Sequence, residues 1–181
     1  IIKSGRAVLY PMYKGTFERQ DTILSGAEDS SHFHTEWMIK MVKDFRRSVD
    51  YLGTRADIDT SRLAYFGFSW GGFMGAIIPA VEKRLKASIL AVGGVDGLGR
   101  PEVRDINYVG RVTIPVLMLN GRYDMAVPFE TAAKPMFDLL GTPKGQKEMM
   151  LYETDHFIPR NEFIKETLGW LDRYLGPVRS Q

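Results

Sequence analysis

The sequence predicts an α/β fold: a mainly parallel sheet of about five strands, with helices on both faces. Three observations lead there. Short apolar runs alternate with longer amphipathic stretches along the whole chain, the pattern of strands followed by crossover helices. The apolar runs are unbroken rather than alternating, as strands buried on both faces require. Several of them end at glycine, where the chain leaves a sheet in a tight turn.

Each element can be justified in order. "RAVLY" (6–10) follows a Ser-Gly turn and reads as the first buried strand. In "TEWMIKMVKDFRRSVDYLGTR" (35–55), Trp37, Met38, Met41, Val42, Phe45, Val49 and Leu52 recur at helical spacing, with Thr35 as N-cap and Gly53 as stop. "RLAYFGF" (62–68) is a second strand, and "GGFMGAIIPAVE" (71–82) a helix. "KASILAVGG" (86–94) and "IPVLMLNG" (114–121) are continuous apolar strands. "ETAAKPMFDLLG" (130–141) is a helix that Pro135 kinks or delays. "KEMMLYE" (147–153) is the last strand, and "NEFIKETLGWLDRYLG" (161–176) a closing amphipathic helix.

The 181 residues suffice for one domain with a sizeable core, and no repeat or low-complexity linker divides them, so 1–181 is read as a single unit. Basic and acidic residues number 24 and 22 and are scattered, for a net charge of +2. Nucleic-acid binding, which needs basic residues clustered on one face, is not expected. With no cysteine, disulfides, thiolate chemistry and Cys-ligated metals are excluded. The histidines and carboxylates show no metal-ligand spacing, so neither metal nor cofactor is expected. No apolar run approaches a membrane span, and no charged n-region precedes a cleavable apolar stretch. A cytoplasmic location is the default expectation. The chain starts at Ile1, without an initiator methionine, which leaves a processed, engineered or fragmentary chain open.

Chemistry concentrates in "YFGFSWGGFMG" (65–75). Ser69 stands between Gly67 and Gly71, after a strand and before a helix, at the carboxyl end of the strand where α/β sheets collect reactive groups. A nucleophile on so sharp a turn needs neighbours without side chains two positions before and after it. The turn also aims the Trp70 backbone N–H at the space where an oxyanion would develop. A serine needs a base, and the base an orienting acid. His32 and His34 precede the serine in the polar stretch "EDSSHFHTE" (28–36) and read as exposed loop residues. His156, in "TDHF" after the last strand, is the better-placed base. Asp124, just past the 114–119 strand and framed by Gly121 and Pro128, is the acid. Asp96 is its one serious rival, and Asp155, adjacent to His156, reads as solvent-facing. The order Ser69, Asp124, His156 is that of α/β hydrolases and of no other major serine-hydrolase fold.

"GFSWGG", "IPVLMLNGRYDMAVP", "TDHF" and the closing helix resemble the α/β-hydrolase superfamily, in the branch of dienelactone-hydrolase-like esterases and prolyl-oligopeptidase-type catalytic domains. "SGRAVLYPMYKGTFER", "PVLMLNGRYD" and "IKETLGWLDRYLGPV" are similar to hydrolase domains fused to bacterial serine/threonine protein kinases. The resemblance runs from Gly5 to Val178 and implies Ser69 as nucleophile, Asp124 as acid, His156 as base and the Trp70 N–H as one oxyanion donor. It also implies that "RAVLY" is the fourth strand of the family sheet, so that the first three strands are absent. With them goes the loop that usually gives the second oxyanion donor. Three outcomes are open: a fragment, direct pairing of 6–10 with 62–68, or self-association through an exposed sheet edge. Substitute donors are the Tyr10 and Tyr13 hydroxyls or a backbone N–H near Lys14 or Gly15.

The span between Gly94 and Ile114 leaves no room for a large cap, so an open, shallow pocket is expected, lined by some of Tyr10, Tyr13, Trp70, Val95, Tyr108 and Met125. The leading expectation is a serine esterase for small short-chain esters. A weakly active or inactive module of a larger protein is the second, and a serine peptidase the third.

Overall fold

The computed structural model describes residues 1–19 and 31–178. Four strands form one sheet: β1 (Leu63–Phe68), β2 (Leu85–Ala91), β3 (Val116–Gly121) and β4 (Lys147–Tyr152). They are all parallel and lie in the order β1-β2-β3-β4. β2 and β3 are buried along almost their whole length, which explains why they read as unbroken apolar runs.

The first of the five predicted strands does not form. Residues 6–10 adopt no strand, and Ala7, Val8, Leu9 and Tyr10 are exposed. An apolar run becomes a strand only when a neighbour accepts its ladder bonds. The outer edge of β1 carries no strand among the described residues. Arg6 instead ties this stretch to the end of the last helix, through Asp172 (2.5 Å) and the Gly176 carbonyl (2.8 Å). At its far end the Lys14 N–H donates to Asp44 (2.9 Å) and the Lys14 carbonyl accepts from the Trp37 indole (3.1 Å).

Helices cover both faces. On one side α1 (His32–Leu52), α2 (Trp70–Met74), α3 (Ile78–Val81) and α4 (Lys134–Leu139) enclose the larger core with Tyr65, Leu85, Leu90, Val116 and Met118. On the other, α5 (Arg160–Leu175) sets Trp170, Leu171 and Leu175 against Ala87, Ile89, Leu117 and Leu119. None of these helices is long and apolar enough to cross a membrane.

Two helix boundaries differ from expectation, and a third is delayed as expected. α1 starts earlier because Ser31, not Thr35, caps it, its Oγ accepting the His34 N–H (3.0 Å). That places His34 on the inner face with Met38 and Met41, buried rather than in an exposed loop. His32 remains exposed and pairs with Glu36 (3.4 Å). Of the polar stretch, residues 28–30 lie outside the described residues. The helix after β1 breaks into α2 and α3 at Gly75–Ile77. Before Pro135, residues Phe129–Ala133 form a single π turn that delays α4, with the Ala132 and Ala133 N–H groups both reaching the Pro128 carbonyl.

Candidate active site

The turn after β1 is strained and pinned. Ser69 has φ 52° and ψ −112°, a conformation that costs a non-glycine residue about 1–3 kcal/mol. Two bonds hold it there: its N–H donates to the Ala91 carbonyl of β2 (3.0 Å), and its carbonyl accepts the Phe73 N–H (3.1 Å). A Cβ on Gly67 would stand 2.1 Å from the Gly71 carbonyl oxygen, so glycine is obligatory there. The second essential glycine is not the motif's Gly71, whose Cβ would make an ordinary 3.7 Å contact with the Tyr65 hydroxyl. It is Gly72, whose Cβ would lie 2.6 Å from the Gly93 Cα in the turn after β2. Trp70 opens α2, and an N–H in a helix's first turn has no carbonyl one turn back to receive it.

Two further strand ends converge on this turn. After β3 and β4 the chain forms two loops zipped together, Arg122 N–H to the Tyr152 carbonyl (2.8 Å) and Tyr123 N–H to that of Thr154 (3.0 Å). Glu153 adds bonds from the Arg122 guanidinium (2.5 Å) and the Tyr123 hydroxyl (2.6 Å). Gly121 permits this approach, since a Cβ there would meet the Asp155 carbonyl oxygen at 1.9 Å. The result brings His156 Nδ1 to 2.7 Å from Asp124 Oδ2, and His156 Nε2 to 2.9 Å from Ser69 Oγ. Asp124 is 2% exposed, and its other oxygen accepts the Ala126 (2.8 Å) and Val127 (3.0 Å) N–H groups. With that oxygen satisfied, the carboxylate is fixed in orientation and aims its remaining oxygen at the imidazole. Phe68 and Phe157 each meet the His156 ring edge-on.

The other sequence candidates scatter. Asp96 is exposed, accepts the Leu98 N–H (2.7 Å), and lines a crevice with His34 rather than meeting His156. Asp155 is exposed and caps the Phe157 N–H (3.0 Å). Tyr10 is 75% exposed, its ring edge-on to Phe17. Tyr13 is partly buried near Tyr65 and Asp44, and burial pushes its hydroxyl up to about 12. The backbone candidates are already engaged: Lys14 N–H by Asp44, and Gly15 N–H by the Arg19 carbonyl (3.1 Å). Val95 sits in the larger core instead of a pocket wall. Tyr108 is half-buried, its hydroxyl donating to the Glu102 carbonyl, and Met125, beside Asp124, is 91% exposed. Trp70 is partly buried and stacks on Trp37 with centroids 5.9 Å apart.

Sequence reasoning missed Asn120. It is fully buried on β3, and its Nδ2 donates to the Gly93 carbonyl (3.0 Å), bracing the turn against which Gly72 packs. An asparagine inside an otherwise apolar strand was the available signal, because a buried amide needs a partner.

Four parallel strands with a serine on a pinned strand-to-helix turn, its hydroxyl against an imidazole from the last strand end, characterise a serine hydrolase of the α/β-hydrolase superfamily. Within that superfamily the chain belongs to the PET hydrolase-like family, whose model matches residues 25–178. It is 31% identical to the α/β hydrolase domain-containing protein WAV2 of Arabidopsis thaliana, over 78% of this chain and 56% of that protein. It is also 31% identical to Cutinase 1 of Thermobifida cellulosilytica, over 67% of this chain and 44% of the cutinase. Among solved structures it is similar to a cold-adapted esterase from an Arctic intertidal metagenomic library, with 27% identity and a TM-score of 0.64. That match covers 78% of this chain and 60% of the esterase. The chain thus spans about half the length of the curated relatives it matches.

Proposed function

We propose that this protein hydrolyses carboxylic esters of small, short-chain acids, with Ser69 as nucleophile, His156 as base and Asp124 as its orienting acid. The observation that carries the proposal is the chain of contacts from Ser69 Oγ through His156 (2.9 Å) to Asp124 (2.7 Å). Family membership and the likeness to a cutinase and an esterase support the reaction class.

The chemistry follows from those contacts. Asp124 accepts only, so His156 Nδ1 carries the proton between them and Nε2 presents a lone pair to the Ser69 hydroxyl. As Oγ adds to the ester carbonyl, Nε2 takes its proton and the imidazolium is stabilised by Asp124. The carbonyl oxygen gains negative charge beside the Trp70 N–H. Collapse expels the alcohol, which takes the proton from Nε2, and leaves an acyl-serine. Water, deprotonated by the same nitrogen, releases the acid. With Lys14 and Gly15 engaged, Tyr10 against Phe17 and Tyr13 beside Tyr65, no contact among the described residues sets a second donor beside Ser69. Lacking one donor lowers turnover about 10²–10³-fold, which favours esters, with their better leaving groups, over amides.

The test is hydrolysis of p-nitrophenyl butanoate by the purified chain, expected to vanish in Ser69→Ala and His156→Ala. Full activity in the serine variant would overturn the proposal. The engagement of both backbone donors also favours a second reading, a hydrolase-like module of a larger protein with little catalysis of its own. A folded chain without turnover would select that reading. The outer edge of β1, which carries no strand among the described residues, is where self-association would occur, and light scattering across a range of concentrations would detect it.

A further inference from the structure

Beside the Ser69 turn, on the Trp70 side, α1, α2 and the 95–105 loop enclose a small crevice that opens to solvent. Trp70, Phe73 and Leu98 give it apolar walls; His34, Asp96 and Asp105 are its titratable groups. His34 is 6% exposed, and its ring contact is the edge of Trp37 at 5.7 Å. Its backbone N–H is bonded to Ser31, but its imidazole nitrogens meet no hydrogen-bond partner among the described residues. A buried imidazole on a crevice wall, without a partner among the described residues, is available to a ligand.

The two carboxylates differ in role. Asp105 is buried and organises the loop, accepting the N–H groups of Asp96 (2.8 Å), Gly97 (3.0 Å) and Ile106 (2.6 Å). Burial still holds its carboxyl above the usual range, and the neighbouring Asp96 charge adds to this. Asp96 gives one oxygen to the Leu98 N–H and is exposed at the mouth. None of the lining residues is Lys or Arg, and Arg104 on the same loop turns to the Gly99 carbonyl (2.9 Å). The crevice therefore combines acceptors, one unpartnered donor in the Trp70 indole Nε1, negative charge and short apolar walls.

Its position tells which half of a substrate it would receive. The leaving alcohol must reach His156 Nε2 to be protonated, so it lies on the His156 side of Ser69. The acyl chain then points away, toward Trp70. We propose that this crevice is the acyl pocket and that it selects short acyl chains ending in an ammonium group, held by Asp96 and His34. The proposal rests on the esterase reading and narrows its substrate class.

Three ethyl esters of matched length test it by titrated proton release: β-alanine ethyl ester, ethyl butanoate and monoethyl succinate, which end in ammonium, methyl and carboxylate. After correction for their hydroxide-catalysed rates, kcat/KM for the ammonium ester exceeds that for butanoate about five- to tenfold, and succinate is slowest. The ammonium-to-butanoate ratio falls at least about threefold in Asp96→Asn and in His34→Leu. A ratio at or below one, or one that Asp96→Asn leaves unchanged, overturns the proposal. Binding supplies the independent arm. β-Alanine ethyl ester changes the tryptophan fluorescence of the Ser69→Ala chain at lower concentration than ethyl butanoate does, and Asp96→Asn removes the difference. If no ester is turned over but this difference holds, the esterase reading fails and the pocket stands. Equal binding of the two esters sinks the pocket.

Discussion

Alanine at Gly67, Gly71 and Gly72 separates what the local motif demands from what the fold demands. At Gly67 the new Cβ would lie 2.1 Å from the Gly71 carbonyl oxygen and 2.4 Å from its carbon. Relief needs the turn to open by roughly 1 Å, a misplacement that costs about a hundredfold in rate. At Gly72 the Cβ would lie 2.6 Å from Gly93 Cα and 3.0 Å from the Ala91 carbonyl oxygen, the acceptor that pins the Ser69 N–H. Both substitutions should therefore misplace Ser69. At Gly71 the nearest atom is 3.7 Å away, and the residue sits in the first turn of α2. Replacing glycine by alanine in a helix stabilises by roughly 0.5–1 kcal/mol, or an increase in Tm of about 1–4 °C in a chain of this size. The assay is the second-order rate of Ser69 phosphonylation by a fluorophosphonate, alongside a thermal melt. Gly71→Ala should keep the rate within about threefold and melt no lower. Gly67→Ala and Gly72→Ala should each fall about a hundredfold or more. An inactive Gly71→Ala beside an active Gly72→Ala would refute the steric reasoning.

Asp124→Asn leaves the loop bonds largely in place but removes the acceptor that sets the imidazole tautomer, so esterase turnover should drop at least about a thousandfold with little change in Tm. Asn120→Leu loses the bond to Gly93 and also an amide oxygen that is buried without a partner. Its stability should therefore change by no more than about 1 kcal/mol, while phosphonylation slows about tenfold with the Gly93 turn unbraced. The buried Glu82 carboxylate is held below its usual range chiefly by its bonds from Arg84 (2.7 and 2.6 Å). Because the unfolded chain takes up that proton first, the stabilisation is complete above the unfolded carboxylate range. It is lost as pH falls through the lower, folded value. Urea melts should show Glu82→Gln less stable by about 1–2 kcal/mol at pH 7, with the gap closing in acid. A gap that widens on acidification would contradict the sign.

Most of the sheet was legible in the sequence because β2 and β3 are covered on both faces, and burial of that kind leaves unbroken apolar runs. The same composition misled at 6–10. "RAVLY" is apolar enough for a buried strand, but whether a run pairs depends on a neighbour elsewhere in space, and among the described residues no strand lies beside β1 to bridge to that segment. Local chemistry likewise hid the start of α1. Ser31 and Thr35 are both capping residues by type, and what separates them in the structure is the Ser31 bond to the His34 N–H and the inward face shared by His34, Met38 and Met41. Glycine spacing pointed to Gly71 because the turn motif is local. The contact that makes Gly72 essential comes from Gly93, on the next strand's turn, and spacing within one segment carries no trace of it. The serine, acid and base candidates were identified from strand ends and chain order, whereas the zipped loops that align Asp124 with His156 are tertiary and became visible only in the structure.

The central claim is that Ser69 is a nucleophile activated by His156. Its most direct test is peptide mapping of the chain after exposure to a fluorophosphonate. The account predicts a single adduct on Ser69, forming at least about a hundredfold more slowly in His156→Ala. An unlabelled Ser69 in folded protein, or labelling that His156→Ala leaves equally fast, would contradict it.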